Sequence, residues 1–267
     1  GVISEKEEHF GSALILQVLP MTQGLYGLVI AILLLFLKVP LPSLLKAAAL
    51  LAAGISIGFG AIGSGIGSGY PGGEACFGIA KQPGIASQLT TNMLIGSAVC
   101  QTPAIFSMVV ALMLTFIDFG PTPLHPTWAA YLGAGLSMGL AAIGSGYGGG
   151  LAAGASCEAI SRQPKTAPSV TTLMLVGQAV SQTPAIFGLL VSFILMFKSF
   201  PESTALSTAM ALLAAGICMG FGGIGPGIGN GMAAEGAVRW VARNVEHAGD
   251  LMRIMLVGQA VSQSTAI

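Results

Sequence analysis

Charge is scarce in this chain. Of its 267 residues only 7% are Asp, Glu, Lys or Arg, against 54% hydrophobic ones and a mean hydropathy of +0.84. A soluble domain carries about 25% charged residues, so a water-facing surface cannot be built from this composition and the chain reads as a membrane protein. Ten Lys and Arg balance ten Asp and Glu, which leaves no basic stripe to neutralise phosphates and excludes nucleic acid as a partner. Cysteine is scarce as well. Cys76, Cys100, Cys157 and Cys218 lie in apolar runs, where a thiol behaves as a small hydrophobe, so neither a disulfide framework nor a cysteine metal site is expected. His9, His125 and His247 fall near expected loops or helix ends, and no paired acid and base or phosphate loop ending in Gly-Lys-Ser is present, so catalysis within the chain is excluded. The sequence opens at Gly1 rather than Met, with the cluster Glu5, Lys6, Glu7, Glu8, His9, and stops at Ile267 in an apolar segment. It therefore reads as a fragment of a longer polypeptide without a signal peptide.

Glycine, by contrast, is abundant at 39 residues, and it repeats. Gly54-Ile-Ser-Ile-Gly-Phe-Gly-Ala-Ile-Gly-Ser-Gly-Ile-Gly-Ser-Gly69 recurs at Gly135 to Gly150 and at Gly216 to Gly231, in steps of 81 residues without gaps. The second half of the unit keeps the register, because Val99-Cys-Gln-Thr-Pro-Ala-Ile-Phe106 matches Val180-Ser-Gln-Thr-Pro-Ala-Ile-Phe187 and Val261-Ser-Gln-Ser-Thr-Ala-Ile267. Gln101, Gln182 and Gln263 are thus equivalent. An additional half unit at the front, Leu25 to Phe36, resembles Ile105 to Phe116 at an offset of 80 and puts Met21 in the Gln101 place.

Each unit holds two apolar segments longer than the roughly 20 residues a helix needs to cross a bilayer, so the unit is a helical hairpin. Helices are expected at 10–37, 46–80, 85–117, 128–162, 167–198, 205–243 and 248–267. The expected fold is all-α, a membrane protein of tandem transmembrane helical hairpins forming part of a ring. Its units are the second helix of a truncated first hairpin over 1–45, hairpin repeats over 46–126 and 127–207, and a hairpin truncated in its second helix over 208–267. Lys and Arg by side set the orientation. Lys6, Lys81, Arg162, Lys165, Arg239, Arg243 and Arg253 flank the within-hairpin connections, against Lys38, Lys46 and Lys198 between hairpins, which puts the within-hairpin loops in the cytoplasm.

A glycine-rich run invites a dinucleotide fingerprint, but that needs a preceding strand and a parallel sheet. In lipid, small residues at this spacing instead let helix backbones approach closely. Glycine confined to the first helix, with bulkier residues in the second, suggests an inner crowded ring and an outer ring facing lipid.

At this point a family resemblance is carried by particular residues: Gly63 to Gly69, Gly78-Ile-Ala-Lys-Gln-Pro83, Met93 to Phe106, Ala159-Ile-Ser-Arg-Gln-Pro164 and Val176 to Gly188. Together they resemble the rotor-ring proteolipid of rotary ATPases, the F-type c subunit, while Leu19-Pro-Met-Thr-Gln-Gly-Leu-Tyr-Gly27 is more similar to the K subunit of V-type and archaeal-type enzymes. The resemblance implies a non-catalytic ring of hairpins turning in the membrane against the a/I stator subunit, with the polar loops Lys81-Gln82-Pro83 and Arg162-Gln163-Pro164 meeting the central-stalk subunits. Lipid and other ring hairpins are the remaining implied partners. The third loop, Arg243-Asn244-Val245, departs from the pattern.

The resemblance also implies a mid-membrane Glu or Asp where this chain has Gln101, Gln182 and Gln263. A carboxylate takes up a proton or pairs with sodium and so crosses lipid neutral, whereas a bare charge costs several kcal/mol or more. A glutamine amide holds no titratable proton, although its carbonyl can ligate sodium as a hard oxygen donor. Thr102, Thr183 and Ser264 stand where sodium-dependent relatives supply a hydroxyl, and Thr22, Gln23 and Tyr26 resemble the hydroxyl, amide and phenol ligands of sodium-type K subunits. Ser68 and Asn230 hold the place of a first-helix coordinating Gln, and Gly149 leaves that place bare. Glu74, Glu158 and Glu235 lie seven, four and eight residues before Lys81, Arg162 and Arg243, roughly 6 to 12 Å from the loop, too shallow for the site.

Two readings of the glutamines stand side by side. Either these hairpins are ion-silent spacers in a proton- or sodium-translocating rotor whose carboxylate lies in another hairpin, or the amides satisfy one another in a non-pumping, pore-forming or structural proteolipid. No bound cofactor is expected, with sodium or a proton as the transported ion. A secondary transporter would need inverted halves, and these repeats run head to tail.

Overall fold

A computed structural model of the chain describes residues 10–37, 44–116, 118 and 122–266, so Glu5 to His9, Lys38 and Ile267 lie outside the described residues. In chain order the helices are α1 Phe10–Val18, α2 Thr22–Phe36, α3 Leu44–Lys81, α4 Ala86–Phe116, α5 Leu124–Arg162, α6 Ala167–Ser181, α7 Thr183–Phe197, α8 Leu206–Val241 and α9 Ala248–Gln263. No strand occurs among the described residues. Lipid imposes this, since a spanning segment must satisfy every backbone N–H and C=O internally.

The three first helices, α3, α5 and α8, contain 38, 39 and 36 residues, roughly 55 to 60 Å at 1.5 Å per residue. In α5 the residue His125 is non-helical (φ −106°, ψ 129°), so the regular helix begins at Pro126, near the expected start. Each first helix ends in a tight turn. Gln82, Gln163 and Asn244 share one backbone conformation, with φ of −135°, −138° and −139°, and a 3-10 turn follows at Pro83–Ile85, Pro164–Thr166 and Val245–His247. Proline suits the first two turns because its fixed φ and missing N–H cost nothing at a helix start. The third loop, divergent in sequence, keeps the same turn without it.

Two of the expected second helices are interrupted. A 3-10 turn at Leu19–Met21 separates α1 from α2, and α6 and α7 meet at Gln182. Pro20 and Pro184 lie at the two breaks, where proline removes a helix N–H and crowds the preceding turn. Pro103, the counterpart of Pro184, sits inside the unbroken α4.

The first helices stand side by side in one row, α3 against α5 and α5 against α8, and the second helices pack in the grooves of that row. The central α5 has 83% of its most apolar window buried, against 44% for α3 and 22% for α8. Glycine spacing explains the closeness. Residues four apart lie about 40° apart on a helix and residues two apart about 200°. Gly144 and Gly148 accordingly face Ile224 and Gly227 of α8, while Gly146 and Gly150 face Gly63 and Gly67 of α3. A Cβ on any of these four would lie under 3.0 Å from the neighbouring backbone.

Two apolar clusters result. One, nearer the tight turns, includes Leu89, Met93, Cys100, Ile160 and Met174. The other, toward the opposite end, includes Ile57, Val110, Leu114, Met138 and Leu195. The repeated glutamines lie at the level between them.

Candidate polar layer between neighbouring hairpins

The geometry of this layer begins with proline. In a helix the carbonyl of residue i accepts from the N–H of residue i+4, and Pro103 and Pro184 have none to give to Val99 and Val180. A buried carbonyl without a partner is costly, and here the adjacent hairpin supplies one. Gln182 Nε2 donates to the Val99 carbonyl at 2.7 Å, across 83 residues. Asn230 Nδ2 donates to the Val180 carbonyl at 3.3 Å, and Thr183 Oγ1 donates to the same oxygen at 2.6 Å.

The expected site residues are therefore brought together in part. Gln182 reaches the stretch that carries Gln101, and Asn230 and Thr183 converge on one carbonyl two residues before Gln182. Gln101 and Gln182 are each 8% exposed, and Thr102, Thr183 and Gln263 are half-buried. Ser264 is exposed and donates to the Val261 carbonyl at 2.7 Å. Ser68 is buried and turned onto its own helix, donating to the Ser64 carbonyl at 2.8 Å. Gly149 adds no side chain, as expected. On α2, Tyr26 packs against the second apolar cluster and Thr22 is half-buried. Gln23 is 2% exposed, with neither amide atom hydrogen-bonded to a described residue.

Sequence reasoning missed Gln178 and Gln259. Both are fully buried. Gln178 Nε2 donates to the carbonyls of Gly96 and Gly149 at 2.9 and 3.0 Å, and Gln259 Nε2 donates to those of Gly177 and Asn230, both at 2.9 Å. Each amide thus joins its own first helix to the second helix of the preceding hairpin. Two carbonyl acceptors fix the amide orientation and leave Oε1 of both residues without a partner among the described residues. Ser97, at the same repeat position, is too short for this and only approaches the Ser68 carbonyl at 3.5 Å. The signal was available as the dipeptide Gly177-Gln178, repeated at Gly258-Gln259, one helical turn before the singled-out glutamine.

At the loop end, Lys81, Gln82, Arg162 and Gln163 are exposed and Pro83 and Pro164 half-buried. Gln88 Nε2 donates to the Pro164 carbonyl at 3.1 Å, tying consecutive turns. Glu158 pairs with Arg162 and Arg239 at 2.6 and 3.2 Å, and Glu235 with Arg239 at 2.9 Å. These acids therefore serve the loop end, away from the glutamine layer. Among the described residues no group of three His, Cys, Asp or Glu could hold a metal ion.

Comparison with known proteins agrees with this architecture. The profile of the ATP synthase C subunit matches residues 1–34, 51–114, 132–195 and 213–267, the last three starting 81 residues apart. The K subunit of the A-type ATP synthase of Methanocaldococcus jannaschii is 34% identical over 201 residues, covering 73% of this chain and 82% of the relative. The ATP synthase c subunit of Alkaliphilus oremlandii is 45% identical over 71 residues, 27% of this chain and 80% of the relative. That of Mesomycoplasma hyopneumoniae is 48% identical over 68 residues, 26% of this chain and 66% of the relative.

Proposed function

The chain belongs to the ATP synthase C-subunit family, and on that premise we propose that it is a membrane rotor subunit of a sodium-translocating rotary ATP synthase, contributing hairpins that carry no ion themselves. The observation that carries the rotor reading is the pair of unfilled ends of the helix row. Gly65 and Gly225 are the counterparts of Gly146 and Gly144, yet among the described residues they meet nothing within 4 Å. Each end of the row therefore offers the surface that the other end's neighbour would cover, which favours closure with further hairpins into a ring.

The silent-hairpin reading rests on the amides. Gln182 commits its N–H to the Val99 carbonyl, and its amide has no titratable proton to exchange. Such a hairpin passes the stator neutral. Ions then ride on a carboxylate in another hairpin, and fewer sites per turn mean fewer ions per ATP, which lets hydrolysis work against a steeper gradient. Sodium is favoured over the proton if a carboxylate of a neighbouring hairpin comes to α2, where the buried amide oxygen of Gln23, without a partner among the described residues, is a hard donor beside Thr22 and Tyr26 that could complete that hairpin's site. In this reading the within-hairpin loops face the cytoplasm and the Lys81-Gln82-Pro83 and Arg162-Gln163-Pro164 turns touch the central stalk.

Carbodiimide labelling of the ATP synthase membrane sector tests both parts. The chain is expected to co-purify with the ring and to stay unlabelled at residues 101, 182 and 263, whereas Gln182→Glu becomes labelled and sodium slows the labelling. Absence from the ring would leave the structural or pore-forming proteolipid, and labelling of Gln182→Glu that is indifferent to sodium would replace sodium by the proton.

A further inference from the structure

The charges at the loop end of the second and third hairpins do not follow the repeat. One position carries Phe77 in the first hairpin, Glu158 in the second and Arg239 in the third, each 81 residues apart. At this position a cleft of about 90 Å³ opens between the ends of α5 and α8, lined by Glu158, Arg162, Gln163, Arg239 and Arg243. Three guanidinium groups meet one carboxylate there, and counting Glu235 behind Arg239 still leaves an excess of one positive charge. Arg243 makes no ion pair with a described residue. It lies over the Trp240 ring at 5.5 Å, and Trp240 is 55% exposed.

An apolar stripe leads to this cleft. Tyr147 and Leu151 on α5 precede Glu158 by 11 and 7 residues, and Ile228 and Met232 on α8 precede Arg239 by the same intervals. Both intervals return to within about 20° of one helix face. Tyr147 remains 36% exposed although α5 is flanked on both sides, and Met232 is 61% exposed. An apolar track that ends in arginines and an interfacial tryptophan matches an amphiphile with an anionic head, since basic pockets between membrane helices recognise such headgroups and tryptophan settles at headgroup depth.

We infer that the Arg162–Arg239–Arg243 cleft binds the phosphate of an anionic phospholipid whose acyl chains lie along the Tyr147 and Met232 stripe. Arginine suits the role because its planar fork grips phosphate oxygens in pairs. Glu158 holds Arg162 and Arg239 in place and leaves Arg243 as the group that closes on the headgroup.

The test is lipid retention by the intact chain in nanodiscs of mixed phosphatidylglycerol and phosphatidylcholine, read by native mass spectrometry after release. Phosphatidylglycerol is expected to be retained over phosphatidylcholine, and Arg243→Gln to lower its retention about fivefold, the factor for one basic group at a lipid surface. Lys165→Gln, an exposed change on the neighbouring turn outside the cleft, leaves retention unchanged. Helicity by circular dichroism checks that Arg243→Gln folds. Equal retention of both lipids, or an equal effect of the two variants, overturns the proposal. Displacement of the lipid by millimolar inorganic phosphate overturns it in favour of a free-anion site. Unchanged retention in the nanodisc, together with loss of soluble subunits from the purified ATP synthase carrying Arg243→Gln, overturns it in favour of a protein partner.

Discussion

Two seams join the three first helices, and they share a backbone contact while differing in their polar ties. At the seam between α3 and α5, Gly63 and Gly67 meet Gly146 and Gly150, and between α5 and α8, Gly144 and Gly148 meet Ile224 and Gly227. The Gln178 and Gln259 clamps span 82 residues in both. Beyond that the seams diverge. The first has a buried network in which Asn92 Nδ2 donates to Ser156 Oγ at 2.6 Å and Thr171 Oγ1 donates to Asn92 Oδ1 at 2.8 Å, whereas Leu173 holds the Asn92 position in the next repeat. The second has the Glu158–Arg239 pair, which Phe77 precludes in the first. Close packing of backbones thus defines the hairpin row, and polar side chains distinguish one seam from another within it.

The sharpest way to break this comparison is to load one repeat position at an occupied face and at an open one. Gly146→Val drives a side chain into the backbone of Gly63 and Ser64, whereas Gly65→Val, 81 residues earlier, meets open space. Overpacking costs about 1 to 3 kcal/mol where neighbours can shift, and two helix backbones cannot. Gly146→Val is therefore expected to lose more than about 3 kcal/mol or fail to fold. Gly65→Val is expected to stay within about 0.5 kcal/mol as an isolated chain. Denaturation in sodium dodecyl sulfate, followed by the fluorescence of Trp128 and Trp240, compares them. Equal damage from both would show that glycine matters within each helix rather than between helices.

A second, smaller contrast concerns the carbonyls that proline leaves open. The Val99 carbonyl has Gln182 as its donor, while the Val180 carbonyl has both Asn230 and Thr183. Gln182→Leu strands a buried acceptor, at a cost of about 1 to 3 kcal/mol. Asn230→Leu leaves the Thr183 bond and removes an Oδ1 that has no partner among the described residues, so it should cost about 1 kcal/mol less than Gln182→Leu. The same denaturation midpoints decide the order, and a reversed order would mean that Thr183 does not satisfy the Val180 oxygen.

Much of this arrangement was legible in the residues. The ungapped repeat predicts the hairpins, their turns and the glycine contacts, because backbone proximity requires small residues at fixed intervals. The glutamine layer was legible only in part. Gln182 and Asn230 stood out, but their acceptors are main-chain oxygens of Val99 and Val180, and a carbonyl leaves no mark in a sequence except through the proline four residues on. Gln178 and Gln259 escaped for a related reason, since their partners are the carbonyls of Gly96, Gly149, Gly177 and Asn230. The break at Gln182 lies beside Pro184, yet Pro103 leaves α4 intact, so packing decides between two outcomes of one motif. The Glu158–Arg239 pair was hidden because it joins equivalent positions of two repeats, and the residue type there changes with every unit.

That pair supplies the smallest effect. Its side chains are 23% and 48% exposed, and each has a second partner, Arg162 for Glu158 and Glu235 for Arg239. Removing one contact therefore strands neither charge. Exposed ion pairs contribute about 0.2 to 1 kcal/mol and weaken as salt screens them. A double-mutant cycle of Glu158→Gln and Arg239→Gln isolates the coupling. It is expected below about 1 kcal/mol at low salt and smaller still in about 1 M salt, where the screening length falls to about 3 Å. A coupling above about 2 kcal/mol that resists salt would mean that charge joins α5 to α8, and the two seams would then differ in what holds them together as well as in what decorates them.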